Sequence, residues 1–311
     1  MAQVTMKEML DAGAHFGHQT QRWNPKMKPF VYTNRGGIHI IDLQKSVSHA
    51  KKAADFVKET AAKGKKIIFV GTKKQAEEAI RDAAAKTEQY FVTKRWLGGT
   101  LTNFSTIKLR IDRMRRIDQM REKGDLQYYS KKERIQIEKE YEKLNSFLEG
   151  IREMKELPGV MFVVDLNKEH IAVKEARRLG IPVVGIADTN TDPEEVEFPI
   201  PGNDDAIRSI RLFTNLVADS FIEGHKEWKE NIRNQKDKQE EAEEVQAAEE
   251  QKQDQKGPAV VKVSRGRKMV AAGTAEQVEI EMELDKEQTS DDDTSTEAEA
   301  ETNTEETSSK S

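Results

Sequence analysis

No cysteine occurs in the 311-residue chain, which excludes disulfides and thiolate-bound metals and suits a reducing compartment. No apolar run approaches the roughly 20 residues that a membrane helix needs. Met1–Leu10 lacks the apolar core of a secretory leader, so the expectation is a cytoplasmic protein without membrane contact. Aromatic residues are scarce, and Trp228 is the last of them, so nothing beyond it has a ring with which to anchor a core.

Glycine signatures of catalysis are missing too. After the apolar stretch Lys65–Val70 the chain reads GTKKQAEE, one glycine where a dinucleotide fingerprint needs three. No segment matches the phosphate loop G-x-x-x-x-G-K-S/T or the nucleophile elbow G-x-S-x-G. Nucleotide-dependent enzymes and serine hydrolases therefore lose their usual supports, and no small-molecule substrate is expected.

What is present is charge, unevenly placed. Residues 231–311 carry 11 Lys and Arg against 22 Asp and Glu, which leaves 40 against 34 of the chain's 51 and 56 in residues 1–230. The net charge of −5 thus hides a body at +6 and a tail at −11. A basic body is compatible with a nucleic-acid partner. The tail, rich in Gln, Glu, Lys, Ser and Thr, has too little apolar surface to offset ordering entropy, and disorder is expected from Asn231 onward.

The body alternates strand and helix signals. Lys65–Gly71, Gln89–Thr93, Gly159–Asp165 and Ile181–Asp188 are short apolar runs, as strands buried on both faces are. Thr72–Lys86 and Leu166–Gly180 read as helices, the second closed by glycine. Gly37–Leu43 and Val47–Gly64 add one more strand and helix, and Asp204–Glu223 has helical apolar spacing. Such repetition predicts an α/β fold with a doubly wound parallel sheet. One segment interrupts it. Ile107, Ile111, Met114, Ile117 and Met120 form one stripe, and Ile137, Tyr141, Leu144, Leu148 and Ile151 another with heptad spacing, which predicts an antiparallel coiled-coil hairpin. The expected organisation is a sheet domain over 1–104 and 158–230, a hairpin insert over 105–157 and a tail over 231–311.

Candidate ligand-binding residues gather in two loops and the hairpin. His18–Gly37 interleaves Arg22, Lys26, Lys28 and Arg35 with Trp23, Phe30 and Tyr32. Cations meet phosphates, flat rings stack on bases, and Gln19 and Asn24 suit sugar hydroxyls. Lys94–Phe104, KRWLGGTLTNF, repeats that chemistry after a strand, with Lys94, Arg95, Trp96, Thr102 and Asn103 around two glycines that let a backbone approach closely. Arg113, Arg116, Lys131 and Lys132 add charge along the hairpin. A tight turn into the hairpin explains the glycines equally well, and exposed helix charges are commonly just solvated. No cofactor is required, but His18, Asp188 and Asp204 have the donor types for a divalent cation; Asp188 as a turn residue and Asp204 as a helix cap is the alternative.

Taken together, AGAHFGHQTQRWNPKMKPFVY, GIHIIDLQKS, KRWLGGTLTNF, PGVMFVVDLNKEHIAVKEARRLGIPVVGIADTNTDP and PIPGNDDAIRSIRLF resemble, in order and spacing, the bacterial family of the second protein of the small ribosomal subunit. The resemblance covers roughly Thr5 to Trp228. It implies a flavodoxin-like sheet with an inserted coiled-coil hairpin, no catalysis, and binding to small-subunit ribosomal RNA at the junction of head and body. It also implies contact with other ribosomal proteins, including the large messenger-binding first protein of the subunit. Carried over, Gln19, Arg22, Trp23, Asn24, Lys26 and Lys28 face RNA from one loop, and Lys94, Arg95, Trp96, Thr102 and Asn103 from the other. The long acidic tail exceeds the usual length of that family.

Overall fold

Local signals start the chain. The computed structural model describes residues 4–254, with side chains described through residue 234. Thr5 opens α1 (Met6–Asp11) with a capping box, its hydroxyl accepting from the Glu8 amide while Glu8 accepts from the Thr5 amide. Three short strands follow, β1 (Phe16–Gln19), β2 (Val31–Arg35) and β3 (Ile38–Ile41), antiparallel in the order β1-β3-β2. Here the expectation from Gly37–Leu43 is corrected: that strand belongs to this small sheet and not to the parallel one. Gly36 and Gly37 both have positive φ, 61° and 78°, the backbone of a tight hairpin. They return β3 onto β2, so its hydrogen bonds are taken locally.

After α2 (Leu43–Ala62) come β4 (Ile67–Val70), α3 (Lys74–Thr87) and β5 (Tyr90–Val92). Two further helices, α4 (Phe104–Lys123) and α5 (Lys131–Leu148), precede β6 (Val160–Val164), α6 (His170–Arg178), β7 (Val183–Ala187), β8 (Phe198–Pro201) and α7 (Ile207–Asp254). The five later strands form one parallel sheet in the order β5-β4-β6-β7-β8. Counted by themselves they run second, first, third, fourth, fifth, the flavodoxin-like order. β4, β6 and β7 are buried along their whole length, which is why they read as unbroken apolar runs. β8 has no such signature because FPIP contains two prolines; proline is tolerated at a sheet edge, where one side needs no ladder bonds.

Side chains alternate between two cores. Ile67, Phe69, Phe162, Val184 and Ile200 pack against Ala53 and Val57 of α2, Ile80 of α3, and Ile210, Phe213 and Val217 of α7. Ile68, Val70, Met161, Val163 and Val183 face the other side, with Ala172, Val173 and Ala176 of α6. Ile107, Ile111, Leu148 and Ile151 join this second core, so the base of the α4–α5 hairpin is rooted in the sheet domain. Farther out, Leu109 is 69% and Tyr128 89% exposed. Gly124 ends α4 at φ 77°, and Ser130 caps α5 through Glu133.

The last helix is longer than expected. Residues 231–254 continue α7 where disorder was expected. Ala, Glu, Gln and Lys are strong helix formers, and extending an existing helix carries no nucleation cost. The rest of the acidic tail lies outside the described residues. No described helix is long and apolar enough to cross a membrane.

Gly224 sets how closely α7 lies on α2, since a methyl group there would collide with the Lys58 carbonyl. Gly224→Ala is expected to destabilise the protein by about 2–3 kcal/mol through overpacking. Urea denaturation followed by circular dichroism measures this, and an unchanged midpoint would contradict the contact.

Candidate nucleic-acid interface

The first loop is built largely from turn chemistry. Asn24 Oδ1 accepts from the Lys26 amide at 3.0 Å, capping the turn Pro25–Phe30, and the Asn24 amide donates to Thr189 O at 2.7 Å. Met27 is fully buried beneath the turn. Lys26 is held by Asp192 at 2.7 Å and Glu194 at 2.6 Å. Asn24 and Lys26 thus spend their polar groups inside the fold. Trp23 is half-buried, its ring 5.1 Å from that of His39. Gln19, Arg22, Lys28 and Arg35 are exposed, and among the described residues none of the three cations has a carboxylate partner.

The glycine loop after β5 does bind an anion, and the anion belongs to the protein. The carboxylate of Glu175, on α6, accepts from the amides of Gly99 (2.7 Å), Leu101 (3.0 Å) and Thr102 (3.1 Å). It also accepts from the Trp96 indole N–H at 3.1 Å and the Thr102 hydroxyl at 3.2 Å. Burial pushes Glu175 up, but the amide donors outweigh it and hold the group below the usual carboxylate range. Gly99 needs to be glycine at φ 89°, whereas Gly98 has open space around it. The expected RNA-facing role of Trp96 is corrected here: the ring is 6% exposed and belongs to the second core. Thr102 is exposed, yet its hydroxyl is engaged by Glu175. Lys94 pairs with Glu77 at 2.6 Å. Arg95 and Asn103 are exposed, and Arg95 has no described ion pair. Sequence reasoning missed Glu175. Its one signal is position, three residues after Ala172 on the buried stripe of α6.

On the hairpin, Arg113 is tied to Glu140 at 3.0 Å. Arg116, Lys131 and Lys132 are exposed and lack a described carboxylate partner.

The crevice where the strand order reverses, between the ends of β4 and β6, is the usual ligand position of such sheets. Here it is acidic. Lys73 Nζ lies 2.9 Å from each of Asp165, Asp204 and Asp205, and Thr72 donates to Glu169. Burial pulls the lysine down, but the carboxylates outweigh it and hold it above its ordinary value. A phosphate would meet repulsion in this crevice. Alongside, the structure does bring His18, Asp188 and Asp204 together, one ligand atom of each lying within 4.8 Å of the others. His18 Nδ1 is 3.0 Å from Asp188 Oδ2, and that bond, against the cost of burial, raises the imidazole. Asp204 is fully buried with Oδ2 unpartnered. Burial, then the Asp188 charge, push it up to about 7 against the pull of Lys73.

The family model described as "Ribosomal protein S2" matches residues 9–224. A protein of Bdellovibrio bacteriovorus described as "Small ribosomal subunit protein uS2" is 65% identical over 297 residues, covering 90% of this chain and 95% of the relative.

Glu175→Gln is expected to cost about 1.5–3 kcal/mol, because one acceptor of a charged hub becomes a donor facing donors. The folded-state value of Glu175 lies below its ordinary 4.5, so its stabilisation is present above that pH and lost as pH falls through the folded value. The wild type should therefore lose its advantage over the variant in acid. Denaturation midpoints of both proteins between pH 3 and 7 test this, and a pH-independent difference contradicts it.

Proposed function

The chain belongs to the ribosomal protein S2 family, and from that premise we propose that it grips small-subunit ribosomal RNA through the cations left unpaired by its own fold. The family is one of structural components of the small subunit in the cytoplasmic ribosome, not of enzymes, so this chain serves translation by occupying a place in a ribonucleoprotein. The observation that carries the RNA reading is the sorting of charge. Lys26, Lys94 and Arg113 are neutralised internally, while Arg22 and Lys28 in the first loop, Arg35 at the end of β2 and Arg95 in the loop after β5 stand exposed. Arg116, Lys131 and Lys132 extend the contact along the hairpin, acting as a coiled-coil arm. Gln19, Trp23 and Asn103 supply hydrogen bonds and a ring edge beside those cations. The sheet itself is a rigid scaffold. Its position at the head–body junction, and its docking of the large messenger-binding protein, follow from the family resemblance.

Arg22→Ala and Arg95→Ala should each weaken binding of full-length protein to small-subunit ribosomal RNA. Each should make the slope of log affinity against log salt shallower by about 0.7–0.9, the value of one phosphate contact. Filter binding across a salt series measures both quantities. Slopes identical to wild type for both variants would remove these residues from the interface.

A second reading concerns a cation. Two buried carboxylates, Asp188 and Asp204, meet one imidazole, and Asp204 Oδ2 has no hydrogen-bond partner among the described residues. A divalent ion with borderline preference, such as zinc, suits two oxygens and a nitrogen. Asp204 is raised to about 7, so protons compete below that pH and binding strengthens as pH rises through it. Zinc at about a hundredfold excess over its dissociation constant should then stabilise the protein by about 2.7 kcal/mol at pH 8, with little effect at pH 5.5. Asp204→Asn should abolish the gain. Thermal melts with and without a chelator decide it, and equal melting points at pH 8 contradict the site.

A further inference from the structure

The strand-start end of the sheet carries a second basic surface, away from both loops. Gly64, at φ 74° in the turn from α2 to β4, lies flush against the Trp228 indole, where any side chain would collide. That contact sets the turn against α7, and Lys66 of the turn and Lys229 of α7 both act on His225. Phe221, His225 and Trp228 stack along one face of α7, with ring centroids 5.8 and 5.1 Å apart and planes within 18°. Between this stack and the end of α3 opens a cavity of about 330 Å³, lined by Lys86, Glu88, His225, Lys226 and Lys229 among others. Lys86 is paired with Asp219, and Lys226 lies 4.0 Å from Glu230. Among the described residues, Lys63, Lys65 and Lys229 have no carboxylate partner, and Lys66 sits over the Tyr90 ring.

We propose that this cavity is a second RNA site, which takes phosphodiester groups of a single strand on Lys226 and Lys229 beside the His225 imidazole. The volume accommodates one nucleotide and not a folded peptide element, and lysine ammonium groups next to rings are the chemistry of single-strand grooves. The lining holds Lys86, Lys226 and Lys229 against Glu88, with Asp219 and Glu230 beside two of the lysines, which leaves Lys229 as the cation without a described carboxylate partner. Burial lowers His225, and Lys229 and Lys66 lower it further, with Glu88 a lesser opposing charge. A phosphate held on Lys229 would add negative charge beside the imidazole and raise it against those causes. His225 therefore reports occupancy directly. The inference rests on the RNA reading above but uses a different end of the molecule, so the two can fail separately.

The test uses full-length protein with isotope-labelled histidine, the His225 resonance being assigned by its loss in His225→Gln. A single-stranded oligouridylate is titrated in, with inorganic phosphate as a parallel arm. The expected result is a shift of the His225 signal and a rise in its apparent pKa with oligouridylate. Lys226→Ala/Lys229→Ala, with an unchanged melting point, should lose this response and show a salt slope shallower by about 1.4, from about 0.7 per phosphate on single strands. Arg22→Ala and Arg95→Ala should keep the His225 response. A silent His225 in wild-type protein whose ribosomal RNA binding still depends on Arg22 and Arg95 overturns this site and leaves the loops standing. A response with loop variants that bind like wild type supports this site and removes the loops. An equal response to inorganic phosphate at the same concentration makes the cavity a free-anion site and overturns the RNA assignment.

Discussion

One ammonium group, that of Lys73, lies 2.9 Å from three carboxylates that follow different strands: Asp165 after β6, and Asp204 and Asp205 at the turn into α7. In a parallel sheet every strand ends at the same edge, so turns with unsatisfied polar groups crowd together there. Lys73 ties three of those turns into one network, and Thr72 with Glu169 closes its flank. Removing one partner from such a half-buried cluster leaves uncompensated charge in a poorly solvated place, which costs several kcal/mol. The same network decides what this fold does not do. The crevice that would hold a nucleotide phosphate is lined with acid and filled by the protein's own cation.

The glycine loop repeats that logic with opposite sign. Its amides point inward, as they would to cradle a phosphate, and Glu175 occupies the cradle. Both ligand positions typical of a doubly wound sheet are thus satisfied from within. With the backbone donors and the switch-point crevice used up, the proposed RNA contact rests on long exposed side chains, Arg22, Lys28, Arg35 and Arg95. Such groups suit a polyanion, whose charge repeats along its length and needs no enclosed pocket.

Much of the fold was legible in the residues. β4, β6 and β7 are continuous apolar runs because both their faces are covered, and the stripe Ile107, Ile111, Met114, Ile117 marked a helix with one buried side. β8 was not legible, because two prolines in FPIP mask an edge strand. The partner of β3 was not legible either, because an apolar run of four residues does not say which sheet receives it. For the site, basic loops and the trio His18, Asp188 and Asp204 could be picked out by residue type. Which cations are free could not: Lys26 and Lys28 look alike in sequence, but only Lys26 finds Asp192 and Glu194 across the fold, 166 and 168 residues away.

By itself, then, the sequence determined the class of fold, the absence of nucleotide fingerprints, the basic body and acidic tail, and the segments where charge and rings alternate. These are properties of composition and local period, which act over a few residues. The tertiary structure alone decided that Glu175 fills the glycine loop, that Trp96 is core, that Lys73 seals the crevice, and that Gly64 draws a lysine turn against α7. Each of those depends on contacts between residues distant in the chain, and their energies exist only once the sheet has brought them within a few ångströms.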